Sequence, residues 1–252
     1  PVDVGGRLVA KFTSRQEKRL PMDWNAAFRK FILGIPLRLL FRVRVEGREH
    51  LPKKGPYIIA PGPHTTEIES ALIAVHLPDI KIRFFAKAEY WSKSRLHGWF
   101  MTNTGQVPLS RTDSRAALEQ IKSGAEILRQ GGIMAMYPEG TRSLDGRVHK
   151  GHTGVARAAI RAGGVPIVPV GLIGMRKLNP PGGRIRPGRA KIVIGKPIDP
   201  LHYQELSGHS DLADKALEAA LSRGVTDALM KAITRLSGAE YVNEYIPLPP
   251  KK

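Results

Sequence analysis

His64 and Glu69 stand five positions apart in the stretch PGPHTTEIES, residues 61–70. An imidazole in a turn and a carboxylate in the first turn of the following helix can meet, because a glutamate side chain reaches back over that distance. A carboxylate on one ring nitrogen fixes the tautomer. It also stabilises the imidazolium that forms when the other nitrogen takes a proton, which is the chemistry of a general base. A plainer reading competes: Thr66 and Glu69 make the pattern of a helix capping box. Taken alone, the segment reads as a cap.

A second stretch, YPEGTRS at residues 137–143, combines a carboxylate, a glycine and an arginine. Arg142 can fork onto a phosphate, Gly140 lets backbone amides approach an anion, and Glu139 can orient an acceptor or the arginine. The alternative is a turn with a surface salt bridge, which contributes little. Other chemical engines are missing. The chain holds no Gly-x-Ser-x-Gly elbow, no phosphate loop ending in Gly-Lys-Ser/Thr, and no Gly-x-Gly-x-x-Gly fingerprint. His149 and His152 are three apart but have no further clustered ligand, so a solvated pair is expected rather than a metal site.

Such side chains need a scaffold that brings separate turns together. From residue 43 onward, strand-like and helix-like stretches alternate. Strands are expected at Val43–Glu46, Tyr57–Pro61, Ile82–Ala86, Gln106–Ser110, Ile133–Tyr137, Pro166–Leu172 and Lys191–Gly195, with helices over 67–77, 90–102, 113–130 and 152–162. This pattern predicts an α/β domain over 43–252 with a mostly parallel central sheet flanked by helices. Residues 210–237 continue as helix, with a break expected at Gly224. In such a sheet, ligands bind beyond the carboxyl ends of the strands. His64, Arg111 and the group Glu139–Arg142 each follow an expected strand, so they converge on one rim.

Ahead of the domain, residues 1–42 form a basic arm and an N-terminal amphipathic helical segment. Trp24, Phe28, Phe31, Ile32, Ile35 and Leu39 recur at helical spacing among Arg29, Lys30, Arg38 and Arg42, with a bend expected at Pro36. That stripe fits both a helix packed on the core and an interfacial helix on a membrane. No stretch of the sequence is a convincing transmembrane span, and no signal peptide is expected.

The 252 residues carry a net charge of +18 and no cysteine. The first implies an anionic partner. The second removes disulfides, thiolate metal sites and a cysteine nucleophile, and fits a reducing compartment. Residues 176–191, RKLNPPGGRIRPGRAK, hold six basic residues and no acid. Nucleic acid is one partner such a loop suits, but no aromatic residue interleaves with it as a stacking platform. An anionic lipid surface explains the charge equally well, and no nucleic acid is expected.

His64 with an acid five residues on, GQVPLSR (Gly105–Arg111), YPEGTRS (Tyr137–Ser143) and VPIVPVGL (Val165–Leu172) occur in that order. Together they resemble the four sequence blocks of the PlsC-type glycerolipid acyltransferases, typified by 1-acylglycerol-3-phosphate acyltransferase. The similarity runs over roughly residues 57–197, with Lys87 in FFAK also matching. Any one block is weak; four in order are specific.

The resemblance implies that His64 deprotonates an acceptor hydroxyl, which attacks an acyl thioester directly without an acyl-enzyme. Glu69 would take the place of the acid that orients the histidine. Arg111, Arg142, Glu139, Gly140 and Thr141 would hold the acceptor phosphate, with Lys87 assisting, and Pro166 and Pro169 would shape the wall near the donor. The donor would be acyl-CoA or an acyl carrier protein and the acceptor the lysophospholipid 1-acylglycerol-3-phosphate, with glycerol-3-phosphate, another lysophospholipid or acyl exchange between phospholipids as the alternatives, and with no cofactor and no metal. The place of action would be the cytoplasmic face of a membrane, as a peripheral or monotopic protein. Two positions depart from the family pattern: Glu69 stands for its usual aspartate, and Pro63 for the asparagine that usually precedes the histidine.

Overall fold

The computed structural model describes residues 34–87, 92, 94, 95, 98, 101, 102, 106–109, 114–202 and 215–247. The stripe from Trp24 to Ile32, the arm before it, and Arg111 lie outside the described residues.

Helix α1 (Gly34–Leu40) runs directly into β1 (Phe41–Glu46), two residues earlier than the sequence pattern suggests. Then follow a single 3-10 turn (Arg48–His50), β2 (Tyr57–Gly62), α2 (Glu69–His76), β3 (Ile82–Lys87), β4 (Val107–Leu109) and α3 (Ser114–Arg129). The second half has β5 (Ile133–Ala135), β6 (Val148–His149), α4 (Gly154–Arg161), β7 (Ile167–Ile173), α5 (Met175–Leu178), β8 (Gly188–Ile194), α6 (Lys215–Ser237) and β9 (Tyr241–Val242).

Seven strands form one sheet in the order β1-β8-β7-β2-β5-β3-β4. Strands β7, β2, β5, β3 and β4 are parallel to one another. The β7–β8 pair is antiparallel and β8 pairs in parallel with β1, so the two strands on that side of the sheet run the other way.

Why the centre is parallel is visible in β2, whose residues YIIAPG are all buried. Strands covered on both faces by helices read as continuous apolar runs. Alternation then sorts the side chains. Ile58 and Ala60 join Leu128, Ala159, Leu229 and Ile233 in a core under α3, α4 and α6. Tyr57 and Ile59 point the other way, into a core with Phe41, Leu72, Ile73 and Met175. Helix α6 comes close to the sheet: a Cβ on Gly171 would lie 2.5 Å from the backbone carbon of Leu236. Only glycine admits that approach.

All seven expected strands form. The expected break at Gly224 does not, and α6 runs unbroken from Lys215 to Ser237. Gly224 is exposed with open space where a Cβ would be, and Val225, Leu229, Met230 and Ile233 bury the opposite side. A solvent-side glycine costs a helix about 1 kcal/mol, which that burial outweighs. The short α5 and the β6–β9 pair have no counterpart in the sequence expectations.

Candidate active site

Strand β2 is the middle strand of the sheet, and His64 lies two residues beyond its carboxyl end. The Gly62–Pro63 peptide at that exit is cis. The imidazole Nδ1 lies 2.7 Å from Glu69 Oε2. The other carboxylate oxygen, Oε1, accepts from the Thr65 amide at 2.9 Å, the Thr65 hydroxyl at 2.7 Å and the Thr66 amide at 3.0 Å.

Glu69 therefore makes both contacts at once, one on each oxygen. The cap is half of a box, however. The Thr66 hydroxyl is buried without a partner, and helix α2 begins at Glu69 with no side-chain cap. Glu69 is fully buried. Three donors hold Oε1, and with Glu69 accepting on Oε2 as well, Nδ1 carries the proton in its bond. The Nε2 lone pair is then left for chemistry, and the ring, 19% exposed, is open to an incoming group.

The extra methylene of Glu69 fits this geometry. Its backbone sits at the start of α2, and its carboxylate spans back to residues 64, 65 and 66 together.

The second motif is wound around the first. The His64 amide donates to Glu139 Oε2 at 2.7 Å, and the His64 carbonyl accepts from the Ser143 amide at 2.6 Å. The Tyr137 ring stacks on the imidazole with centroids 3.8 Å apart and planes at 24°. Its hydroxyl is paired with Ser70 at 3.0 Å. Burial and the nearby Glu69 carboxylate push the phenol well above its usual range, against the hydrogen bond with Ser70, so it stays protonated.

Glu139 has a duty that the sequence expectation did not include. It is 1% exposed, and its second oxygen accepts the His149 amide at 2.9 Å. Burial raises its carboxyl above the ordinary value, while the two amide bonds pull the other way. Each oxygen accepts one backbone amide, so Glu139 clamps two turns together, at His64 and at His149.

Gly140 differs from expectation too. Its amide donates to the Tyr137 carbonyl at 3.1 Å, closing a turn, and its φ of 72° is one that side chains disfavour. A Cβ there would also meet His152 at 3.1 Å. Thr141 is half-buried beside it. Arg142 is exposed and pairs with Glu67 at 3.0 Å. An exposed pair of this kind is weak and easily exchanged for a stronger anion.

Lys87 ends β3 opposite Leu109 of β4, two residues before Arg111. The proline expectation fails on position. Pro169 pairs with Ala60 inside the sheet, and Pro166 lies before β7, at the end of the strands away from His64.

The remaining supports come from loop 143–152. Ser143 Oγ donates toward Asp145 Oδ1 and the Arg147 carbonyl, at 2.8 and 2.7 Å. Asp145 also takes the Arg147 amide and guanidinium, and His149 Nε2 lies 3.1 Å away. Burial acts to raise the Asp145 carboxyl, but these bonds outweigh it and hold the group well below the usual carboxylate range. His152 stacks on Tyr245 with centroids 4.6 Å apart. His149 and His152 thus have separate partners, and no group of three or more His, Asp and Glu side chains is placed to hold a metal among the described residues.

Sequence reasoning missed Tyr137 as a platform, Ser143 as the anchor of the His64 carbonyl, and the Glu139 clamp. Only Tyr137 left a signal, its place in the same quoted stretch. The other two act across the fold on backbone atoms, which no spacing reveals.

A family model described as Acyltransferase matches residues 42–173, just over half of the chain. The chloroplastic 1-acyl-sn-glycerol-3-phosphate acyltransferase of Arabidopsis thaliana is 31% identical over 173 residues, which are 67% of this chain and 47% of that protein. The 1-acyl-sn-glycerol-3-phosphate acyltransferase of Bacillus subtilis is 26% identical over 198 residues, 77% of this chain and 92% of that protein. Among solved structures, the 1-acyl-sn-glycerophosphate acyltransferase PlsC of Thermotoga maritima superposes with a TM-score of 0.54 at 31% identity. It covers 74% of this chain and 71% of its own. The chain spans about half the length of curated relatives such as those of Arabidopsis thaliana and Chlamydomonas reinhardtii.

Proposed function

The chain belongs to the PlsC-type acyltransferase family, and on that premise we propose that it is an O-acyltransferase making phosphatidate from 1-acylglycerol-3-phosphate. The acyl donor is a thioester, acyl-CoA or acyl carrier protein. The observation that carries the reading is the 2.7 Å contact between His64 Nδ1 and a buried Glu69, which leaves Nε2 as the basic atom.

In this reading the free hydroxyl of the acceptor gives its proton to His64 Nε2 as its oxygen forms a bond to the thioester carbonyl carbon. The tetrahedral intermediate collapses, the carbon–sulfur bond breaks, and the imidazolium returns the proton to the leaving thiolate. The products are an ester and a free thiol, with no acyl-enzyme. Glu69 stabilises the imidazolium while it exists. Arg142, with Arg111 and Lys87 as further cations, binds the acceptor phosphate by exchanging Glu67 for it. The thioester carries its own activation, so the step needs neither metal nor cofactor. Names of relatives support the choice of acceptor. The acceptor resides in lipid, so the protein works at an anionic membrane surface as a peripheral or monotopic protein, on the cytoplasmic face. Among the described residues no helix is long and apolar enough to cross a membrane.

An acyl-transfer assay read by mass spectrometry tests this, with 1-acylglycerol-3-phosphate, glycerol-3-phosphate and a zwitterionic lysophospholipid as acceptors and both donor types. Phosphatidate as the dominant product is expected. Preferred acylation of either other acceptor would replace the substrate assignment, and no transfer to any would refute the activity.

A further inference from the structure

The loop joining α5 to β8, residues 179–187, reads NPPGGRIRP. Its base is closed by hydrogen bonds from the Arg186 amide to the Leu178 carbonyl at 2.7 Å and from Gly183 to Pro180 at 2.9 Å. Three prolines restrict it further. The loop nonetheless holds its tip outward: residues 181–187 are all exposed, and Ile185 is 53% exposed between Arg184 and Arg186. Arg176, Lys177 and Arg189 are exposed around it. None of these five cations makes an ion pair among the described residues.

The register places this tip. Gly62 pairs with Gly171, so the carboxyl end of β7 lies at the same end of the sheet as the His64 turn. Strand β8 is antiparallel, with Lys191 opposite Ile173, so the loop before β8 projects beyond that same end. Gly146, in the loop that anchors Ser143, would bring a Cβ to 3.5 Å from Arg176. Strand β1 starts with Phe41 opposite Gly188, which sets α1 at this end as well. There Leu39 is 78%, Ile35 50% and Leu40 39% exposed, beside exposed Arg38 and Arg42.

We propose that the tip of loop 179–187 and the exposed side of α1 form one docking surface for an anionic phospholipid bilayer, with Ile185 reaching the acyl boundary between Arg184 and Arg186. The proposal rests on the lipid-acceptor reading above and gives it an orientation, with the His64 end of the sheet turned toward the bilayer. Two apolar patches bracketed by exposed arginines suit a plane of phosphates over hydrocarbon, where guanidinium and side-chain carbon are satisfied together. An acidic protein or a nucleic acid would use the cations but leave the apolar residues in water.

Co-sedimentation of the full chain with vesicles of phosphatidylglycerol and phosphatidylcholine, or phosphatidylcholine alone, tests it. The double variant Arg184→Glu, Arg186→Glu should lose about tenfold or more of its binding to the anionic vesicles, with an unchanged melting temperature. Because the chain has no cysteine, Ile185→Cys gives a single labelling position. A polarity-sensitive fluorophore there should shift to the blue with anionic vesicles and not with neutral ones.

Wild-type binding by the charge-reversed variant, or no spectral shift, overturns the proposal. So does loop-dependent binding of an acidic carrier protein or DNA with vesicle binding untouched. The vesicle arms need no turnover, so an inactive protein would refute the acyltransferase reading and leave this surface to be decided on its own. If the protein is active, the variant should lose rate on vesicle-embedded acceptor while keeping it on a short-chain, monodisperse one.

Discussion

Glu69 holds His64 with one oxygen and the turn with the other, and substitution separates the two duties. In Glu69→Gln the amide oxygen can keep the Thr65 and Thr66 bonds, but the amide nitrogen then faces His64 Nδ1. Two donors cannot pair, so Nδ1 becomes the acceptor and Nε2 carries the proton. The base is lost by a change of tautomer, and kcat should fall about 10²–10⁴-fold. A melting temperature close to wild type with near-normal kcat would show that Glu69 serves only the turn. Glu139→Gln probes the clamp in the same way. Glutamine can accept one of the two amides at His64 and His149 and must present a donor to the other. A stability loss of about 1–3 kcal/mol is expected, with kcat falling more than KM rises, because the turn moves while the phosphate cations stay. A large rise in acceptor KM alone would return Glu139 to the phosphate site.

The elements that place these residues were legible to different degrees. Buried parallel strands announce themselves as apolar runs, as in YIIAPG and IVPVGLI, whereas β1 and β8 show mixed burial, and all seven strands of the sheet are readable from one pattern or the other. Strand ends then put His64 and Glu139–Arg142 on one rim. What escaped was tertiary: the pairing of Val148 with Tyr241 joins residues far apart in sequence, and α5 has only four residues. Prolines in β7 read as a wall because a linear pattern shows their presence but not their depth in the sheet.

Two predictions belong to this scale. Gly171→Ala would push a Cβ into the backbone of α6, and about 1–3 kcal/mol of stability should be lost. An unchanged melting temperature would mean that α6 shifts freely. Asp145 organises loop 143–149, and its folded carboxyl lies below its unfolded value of about 3.9. Its contribution is therefore present above that value and lost as pH falls through it toward the folded one. Asp145→Asn should melt earlier than wild type at neutral pH, with the gap closing below about pH 4. A gap that is constant with pH would assign the loop to other contacts.

For the whole molecule, three properties meet at one end of the sheet: the histidine base, the arginine of the second motif, and the exposed basic and apolar residues of α1 and loop 179–187. The charge of +18 suits a surface that collects anionic lipid, and screening by salt should weaken that collection. The central claim, however, is that His64 takes the proton of the acceptor hydroxyl. It is tested most directly by the transfer rate of His64→Ala, measured with saturating thioester donor and 1-acylglycerol-3-phosphate beside wild type. Glu69 retains three donors in that variant, so the fold should persist and the rate should drop about 10²–10⁴-fold or more. A folded His64→Ala protein that transfers acyl groups at near the wild-type rate would contradict the account.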